Sequence, residues 1–167
     1  MRKFEITLDL SPSGIRAAQR QIQAVSDWIA RKTNELTSRL ANIGLEEASI
    51  NFASVRPFYN NGHHGFDAEL SVEQIPNGYV IRASGEDVCF IEFGAGVTYG
   101  EGYPGNRPEG VVGIGEYGKG HGKNPWWNYP TEVGWRRTKG NPPAAGMFAA
   151  EQKVRQQVYN IAREVFA

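Results

Sequence analysis

The sequence predicts an α+β fold, with a small antiparallel sheet, one long N-terminal helix, a C-terminal helix and a long Gly/Pro/Trp-rich loop. Apolar residues recur every three or four positions across residues 12–43 and again across 147–165, which is the period of an amphipathic helix. Between these stretches apolar and polar residues alternate in short runs, as they do in half-buried strands. We therefore expect the helices to cover one side of a small sheet.

The chain begins with a predicted strand. Phe4, Ile6, Leu8 and Leu10 alternate with polar or charged residues, which is the period of a strand with one buried face. Ser11 can then cap a helix that has Pro12 at its first position.

The first helix is predicted to run from Pro12 to Ile43, with Gly44 ending it in a left-handed conformation. Its apolar positions form a single stripe: Ile15, Ala18, Ile22, Val25, Ile29, Leu36, Leu40 and Ile43. Such a helix is about 48 Å long, which exceeds the width of a domain of this size. We expect part of it to project or to pack on a neighbouring subunit, with Ile29 and Leu36 as candidate subunit contacts.

Three further strands are expected. Alternation across 48–55 predicts the second, and the turn residues of 60–65 separate it from the third. Residues 66–73 alternate most clearly, and the turn at 76–78 connects them to 79–83. The third and fourth strands therefore form a predicted hairpin.

The stretch from Asp87 to Gly96 marks a change in the chain. Residues 84–87 can cap a short helix through Phe93, although the apolar run also permits another strand. From Gly94 to Gly146 the sequence holds fourteen of the twenty glycines, six of the nine prolines and three of the four tryptophans. Such a composition is incompatible with a span that is mostly helix or strand. A helix of about twenty residues then ends the chain.

The chain length predicts one domain across residues 1–167, made of a body (1–93), a long loop or arm (94–142) and a C-terminal helix (143–167). The formal net charge is zero, so the total charge favours neither nucleic acid nor anionic lipid as a partner.

Cys89 lies in an apolar run and is expected to be buried, in a reducing compartment. No signal peptide or membrane-spanning run is evident, so we expect synthesis in a cytoplasm and no membrane partner.

Two apparent cofactor motifs fail on context. Gly113–Lys119 has the glycine spacing of a nucleotide-binding loop, but the residues after it cannot begin the helix that would hold phosphate. His63, His64 and His121 do not have the spacing of a zinc site, and solvated loop histidines are the simpler interpretation. We therefore expect no cofactor and no metal.

Aromatic residues are concentrated in the loop. Tyr103, Trp126, Trp127 and Trp135 could stack on sugar rings or bases, which keeps a carbohydrate-binding or carbohydrate-cleaving function open. Contacts with other protein surfaces are favoured, because aromatic side chains bury a large area with few rotatable bonds.

The second half of the chain resembles the tail-completion and head-tail joining proteins of long-tailed bacteriophages. The resemblance covers roughly residues 84–160 and is carried, in order, by Glu92–Gly94, a Gly-rich span, Trp126–Thr131, Gly134–Trp135, Thr138–Gly140, Pro142–Ala144 and Met147–Ala150 before the last helix. It implies a non-enzymatic virion protein that forms a ring in the phage neck, between the head connector and the tail tube.

This resemblance implies several partners: other copies of the chain in a ring of six or twelve subunits, the adjacent head-completion or connector protein, and a tail-tube or tail-terminator protein. The genome DNA would pass through the lumen as cargo. Suspected subunit or ring contacts are Ile29, Leu36, Glu92, Phe93, Gly94, Tyr103, Trp126, Trp127 and Trp135.

Glu92 is predicted to be a structural carboxylate that accepts backbone N–H groups of the loop or pairs with an arginine such as Arg136. A lone carboxylate without a partner acid or base is poorly suited to catalysis. The alternative function is a phage-borne carbohydrate- or peptidoglycan-active enzyme or binding module, for which Glu132 is the candidate second carboxylate near the tryptophans.

Overall fold

The computed structural model describes residues 3–59, 66–96, 102–106, 126–131 and 134–167. The described elements are, in chain order, α1 (Pro12–Tyr59), β1 (Glu69–Ile75), β2 (Gly78–Ser84), α2 (Val88–Phe93), β3 (Trp127–Thr131), β4 (Gly134–Thr138) and α3 (Gly146–Val165). The predicted α+β class is confirmed. Most of the predicted long loop over 94–142 falls outside the described residues.

α1 is a single helix of 48 residues, about 72 Å long at the usual rise per residue. The prediction that it ends at Gly44 and is followed by a strand over 48–55 is wrong. Ala48, Phe52 and Val55 are buried and are separated by four and three positions, whereas Ile50, which the strand pattern placed inside, is 61% exposed. The helical period therefore extends through this stretch.

Gly44 lies inside α1 because the neighbouring elements approach it closely. A Cβ atom at this position would lie 2.5 Å from Cδ1 of Ile81 in β2 and 3.2 Å from Cγ2 of Val154 in α3. The absence of a side chain at Gly44 therefore lets α1, β2 and α3 pack closely at this point, and the glycine does not end the helix.

Residues 3–10 do not form the predicted first strand. They run beside α1, where Phe4 makes an edge contact with Trp28 and the Thr7 N–H donates to Oε1 of Gln21 (3.2 Å). Exposure of their apolar side chains rises along the segment, from 40% at Phe4 to 81% at Leu10. Alternation alone could not form a strand here, because no strand in the described part of the chain pairs with this segment.

The start of α1 follows the sequence prediction. The Gly14 N–H donates to Oγ of Ser11 (3.1 Å), which is the expected N-cap bond. Asp9 accepts bonds from both the N–H and the hydroxyl of Ser11, and these bonds lower the pKa of the Asp9 carboxyl.

The predicted hairpin is confirmed. β1 and β2 pair antiparallel with Leu70 opposite Ala83, and the two residues between Ile75 and Gly78 make the turn. Leu70 and Ala83 pack against a core cluster formed by Phe52, Val55, Ile91 and Ala144. One face of the hairpin therefore lies on the second half of α1.

α3 packs along α1 as the expected C-terminal helix. Leu40 of α1 forms a second core cluster with Ile161 and Val165 of α3, and Leu36 and Phe166 pack against it.

The short helix α2 is also confirmed. Cys89 on α2 is exposed, so the prediction that it is a buried hydrophobe is wrong: the buried face of this helix is formed by Ile91, Glu92 and Phe93.

The sequence did not predict the second hairpin. β3 and β4 pair antiparallel, from Trp127 opposite Thr138 to Thr131 opposite Gly134. Proline within β3 lowers its strand signal, since proline cannot donate to the ladder.

Across the described residues, no helix has the combination of length and apolar character needed to cross a membrane.

Candidate functional site

Glu92 is the centre of the best-defined polar site. Its carboxylate is carried by α2 and is buried, with 4% of the residue exposed. Oε2 accepts the Met147 N–H at 2.9 Å, and Oε1 accepts the Phe148 N–H at 3.1 Å and the Tyr103 hydroxyl at 3.2 Å. Three donors therefore satisfy a buried charge, which is the condition for such a group to be tolerated.

This arrangement caps α3 from another helix. The N-cap residue of α3 is Ala145, which has no side-chain oxygen and adopts a left-handed conformation at φ 49°. The first N–H groups of a helix lack partners within the helix, and its positive end favours an anion. Glu92 supplies the acceptor that Ala145 lacks, so the carboxylate belongs to the architecture of the α2–α3 junction.

Backbone hydrogen bonds reinforce the same junction. Ala144 N–H donates to the carbonyl of Ile91 (2.7 Å), and Ala145 N–H donates to the carbonyl of Glu92 (3.1 Å). The side-chain amide of Asn141, itself buried, donates to the carbonyl of Phe90 (2.9 Å). The end of α2 and the start of α3 are thus held as one unit.

Gly94 turns the chain immediately after Glu92 and Phe93. Its φ of +76° lies in the left-handed region, and a Cβ atom here would lie 2.7 Å from the backbone nitrogen of Pro143. Both the conformation and the close approach require glycine. The Glu-Phe-Gly stretch therefore combines a cap, a buried ring and a turn.

Tyr103 brings part of the loop onto this unit. Its ring makes edge contacts with Phe93 (4.8 Å between centroids) and Phe148 (6.0 Å). Burial raises the pKa of Tyr103 to about 12, and the charges and the hydrogen bond of Glu92, with the charge of Glu151, add to the effect. Each of these contacts joins Tyr103 to residues of the same chain.

Glu92 accepts backbone N–H groups, as predicted, but not from the residues predicted. The backbone donors come from α3, and the loop contributes the Tyr103 hydroxyl. Arg136, named as a possible partner, lies exposed on β4, and no ion pair between described residues joins it to Glu92.

The predicted tryptophan contacts lie on the β3–β4 hairpin, apart from the Glu92 unit. Trp126 is 40% exposed, with Lys139 Nζ 4.5 Å and Arg137 Cζ 5.1 Å from its ring centroid. Trp135 is 73% exposed, and Trp127 pairs with Thr138 through the backbone.

The two suspected contacts on α1 have different environments. Leu36 packs against the cluster that joins α1 to α3, whereas Ile29 is 48% exposed. Ile15 and Ile22, fourteen and seven residues before Ile29, are 43% and 55% exposed. The predicted stripe is thus only partly exposed on the first half of α1, where Ile15, Ile22 and Ile29 face outward while Ala18, also on the stripe, is 5% exposed.

Other candidate chemistry is sparse in the described part of the chain. No group of three or more His, Cys, Asp or Glu residues there could hold a metal ion. His63, His64 and His121, the Gly113–Lys119 motif and Glu132 lie outside the described residues. An open groove of about 450 Å³ lies between α1, α3 and the tip of the first hairpin, and Glu151 is the one carboxylate among the described residues that line it.

Sequence reasoning singled out Glu92 and Gly94 but did not predict that Met147 and Phe148 of α3 donate to the Glu92 carboxylate. A signal was present, because α3 begins after Ala144 and Ala145, neither of which can cap a helix through its side chain. No protein-family model, curated protein or solved structure matches this chain.

Proposed function

We propose that this protein is a structural virion component that forms a ring in the neck, or at the head-proximal end of the tail, of a long-tailed phage, joining head and tail during assembly. The observation that carries the proposal is the exposed apolar stripe that Ile15, Ile22 and Ile29 form on the first half of α1. The order of motifs described above supplies the phage context, and the stripe supplies a physical reason for self-association.

The stripe has the geometry of a helix contact. Ile15, Ile22 and Ile29 are separated by seven residues, and positions seven apart drift by only about 20° around a helix. All three are more than 40% exposed, while Leu36, the next position at this spacing, packs toward α3. The apolar side chains of residues 3–10 are exposed near the same half of α1. Covering these surfaces with a second copy would remove apolar area from water.

The state of Glu92 favours a structural over a catalytic role. Both carboxylate oxygens of Glu92 accept hydrogen bonds, and each of them accepts one from a backbone N–H group of α3. A general acid or nucleophile must reach a substrate with one of those atoms. Glu92 could do so only by giving up the cap of α3.

Charge is also compatible with a closed ring. Equal numbers of acidic and basic residues give a formal net charge of zero, so identical subunits repel each other weakly when they gather around an axis. Within the proposal the ring contacts a head-completion or connector protein on one side and a tail-tube or tail-terminator protein on the other.

The test is the mass of the purified protein by light scattering, combined with electron microscopy of the same sample. We expect rings of six or twelve copies at high concentration. Ile22→Asp should shift the population toward monomers, since it places a charge in the apolar contact. Ala24→Asp is the matched control, because it adds the same charge on the opposite, exposed side of α1 and should leave assembly unchanged.

A monomer at all concentrations, or equal effects of the two variants, would remove the basis of the proposal. The enzyme alternative has its own signature, namely degradation of bacterial cell walls that disappears in Glu92→Gln. That result would replace the structural role by a catalytic one.

A further inference from the structure

We propose that one face of the β3–β4 hairpin binds the phosphate backbone of nucleic acid. This basic face consists of Trp126, Trp135, Arg137 and Lys139. The inference goes beyond ring formation and does not depend on it, because the site is complete within one subunit.

The strand register places these residues together. Trp135, Arg137 and Lys139 are two positions apart along β4 and its extension, and alternate residues of a strand share a face. Arg137 pairs with Asn128, so Trp126, two residues earlier, belongs to the same face. The distances from Arg137 and Lys139 to the Trp126 ring agree with this placement.

The Trp126 ring orders the two cations. Lys139 Nζ lies 4.5 Å and Arg137 Cζ lies 5.1 Å from its centroid, within the range of cation–π attraction. Long basic side chains lose rotamer entropy when they bind a ligand, and side chains that are already held lose less. Two neighbouring positive groups are thus presented in a defined arrangement.

The local charge contrasts with the neutral chain. Residues 126–131 and 134–140 contain no Asp or Glu, and Arg136 adds a further positive charge on the opposite face of β4. None of the ion pairs between described residues uses Arg136, Arg137 or Lys139. Across residues 117–140 the sequence has five basic residues and one acidic residue, Glu132. The basic excess is therefore concentrated in this part of a protein whose total charge is zero.

A regular polyanion fits this face better than an acidic protein surface does. The exposed ring of Trp135 adds a surface on which a sugar or base can lie, next to cations that reach phosphates. Two or three phosphate contacts from a single subunit give weak, salt-sensitive binding without base specificity. Several copies on one strand would bind far more tightly, because each further contact is intramolecular.

The experiment measures fluorescence anisotropy of a labelled duplex of about 30 base pairs and of a single strand of equal length. For the duplex we plot the logarithm of the association constant against the logarithm of the salt concentration. We expect a slope of about −2 to −3, since each phosphate contact contributes about −0.9. Affinity should then fall about 16- to 64-fold between roughly 50 and 200 mM salt. A shallower slope is expected for the single strand, at about −0.7 per contact.

Two double variants with the same change in charge provide the control. Arg137→Gln with Lys139→Gln should weaken duplex binding by about tenfold or more at low salt and reduce the slope by about 2. Arg16→Gln with Arg20→Gln, on the exposed surface of α1, should leave binding unchanged. Arg137→Lys with Lys139→Arg keeps both charges and should retain binding, which separates charge from folding of the hairpin.

Three results would overturn the proposal. One is the absence of binding to either nucleic acid at low salt. Another is equal weakening by the α1 and hairpin variants, which would indicate a general charge effect. The third is unchanged nucleic-acid binding together with loss of self-association in the hairpin variant, which would make this face a contact between subunits.

Discussion

Oε2 of Glu92 accepts the N–H of Met147 at 2.9 Å and so joins the end of α2 to the first turn of α3. The two residues are 55 positions apart, and the glycine-rich span lies between them in the sequence. The bond therefore closes the base of this span, because it joins the elements on its two sides.

Replacing Glu92 by Gln should destabilise this base. A Gln side chain has one acceptor oxygen, so its amide group would face either the Met147 or the Phe148 N–H, donor against donor. We expect a loss of about 1 to 3 kcal/mol in the free energy of unfolding, the usual result of leaving a buried donor unsatisfied. Chemical denaturation of the purified protein measures it.

Glu46→Gln is the matched control, because it makes the same chemical change at an exposed position of α1 and should alter stability by less than about 0.5 kcal/mol. Equal stability of Glu92→Gln and the unmodified protein would show that the cap contributes little to folding.

Local periodicity predicted much of the fold. The hairpin of β1 and β2 and the helix α3 follow directly from patterns of two and of three to four residues. The same rules failed where a pattern was ambiguous. Ala48, Ile50 and Phe52 alternate as in a strand, but Ala48, Phe52 and Val55 also satisfy helical spacing, and packing against α3 and the hairpin favours the helix.

The candidate site was only partly predictable because its partners are distant in sequence. A carboxylate inside an apolar run signals that donors must come from elsewhere, but not which ones. Gly44 shows the same limit: a glycine that ends a helix and one that permits a close crossing look identical in sequence. Proline within β3 concealed the second hairpin in a similar way.

Tyr103 should make stability sensitive to alkaline pH. Its pKa is raised to about 12 in the folded protein from an ordinary value of 10.0, so the unfolded chain releases this proton first. The contribution is fully present below about pH 10 and is lost as the pH rises toward 12. The unmodified protein should lose stability more steeply across this window than Tyr103→Phe does.

Denaturation midpoints between about pH 9 and 12 measure this difference. Tyr159→Phe is the matched control, because it makes the same chemical change at a side chain that is 68% exposed. At neutral pH Tyr103→Phe should also cost about 1 kcal/mol for the lost hydrogen bond to Glu92. Identical pH profiles for the Tyr103 variant and the unmodified protein would contradict the prediction.

Gly44 should not tolerate a larger residue. In Gly44→Val the first side-chain carbon already lies 2.5 Å from Cδ1 of Ile81 and 3.2 Å from Cγ2 of Val154, so the side chains packed at the crossing must shift to admit the two further methyl groups. We expect a loss of about 1 to 3 kcal/mol from overpacking, measured by thermal or chemical unfolding. Ala30→Val, at an exposed position of the same helix, isolates the low helix propensity of valine and should cost less than about 1 kcal/mol. Comparable losses of unfolding free energy in the two variants would mean that α1, β2 and α3 can move apart around position 44 at little cost.

The two suspected contacts on α1 should separate folding from assembly. Leu36→Asp places an unpaired charge against the cluster of Leu40, Ile161 and Val165 and should lower the free energy of unfolding by about 2 kcal/mol or more. Ile29 is half-exposed, so Ile29→Asp should change folding by less than about 0.5 kcal/mol. It should instead weaken self-association, because the proposed partner would bury that side chain.

Unfolding at a low concentration that keeps the protein monomeric measures the free energy of unfolding. Sedimentation over a range of concentrations measures the association constant. In the proposed ring, Ile29→Asp lowers the association constant at unchanged monomer stability. If Ile29→Asp instead destabilises the monomer as much as Leu36→Asp does, residues 3–10 or α3 cover Ile29 more closely than its exposure indicates, and the stripe is then part of the subunit core.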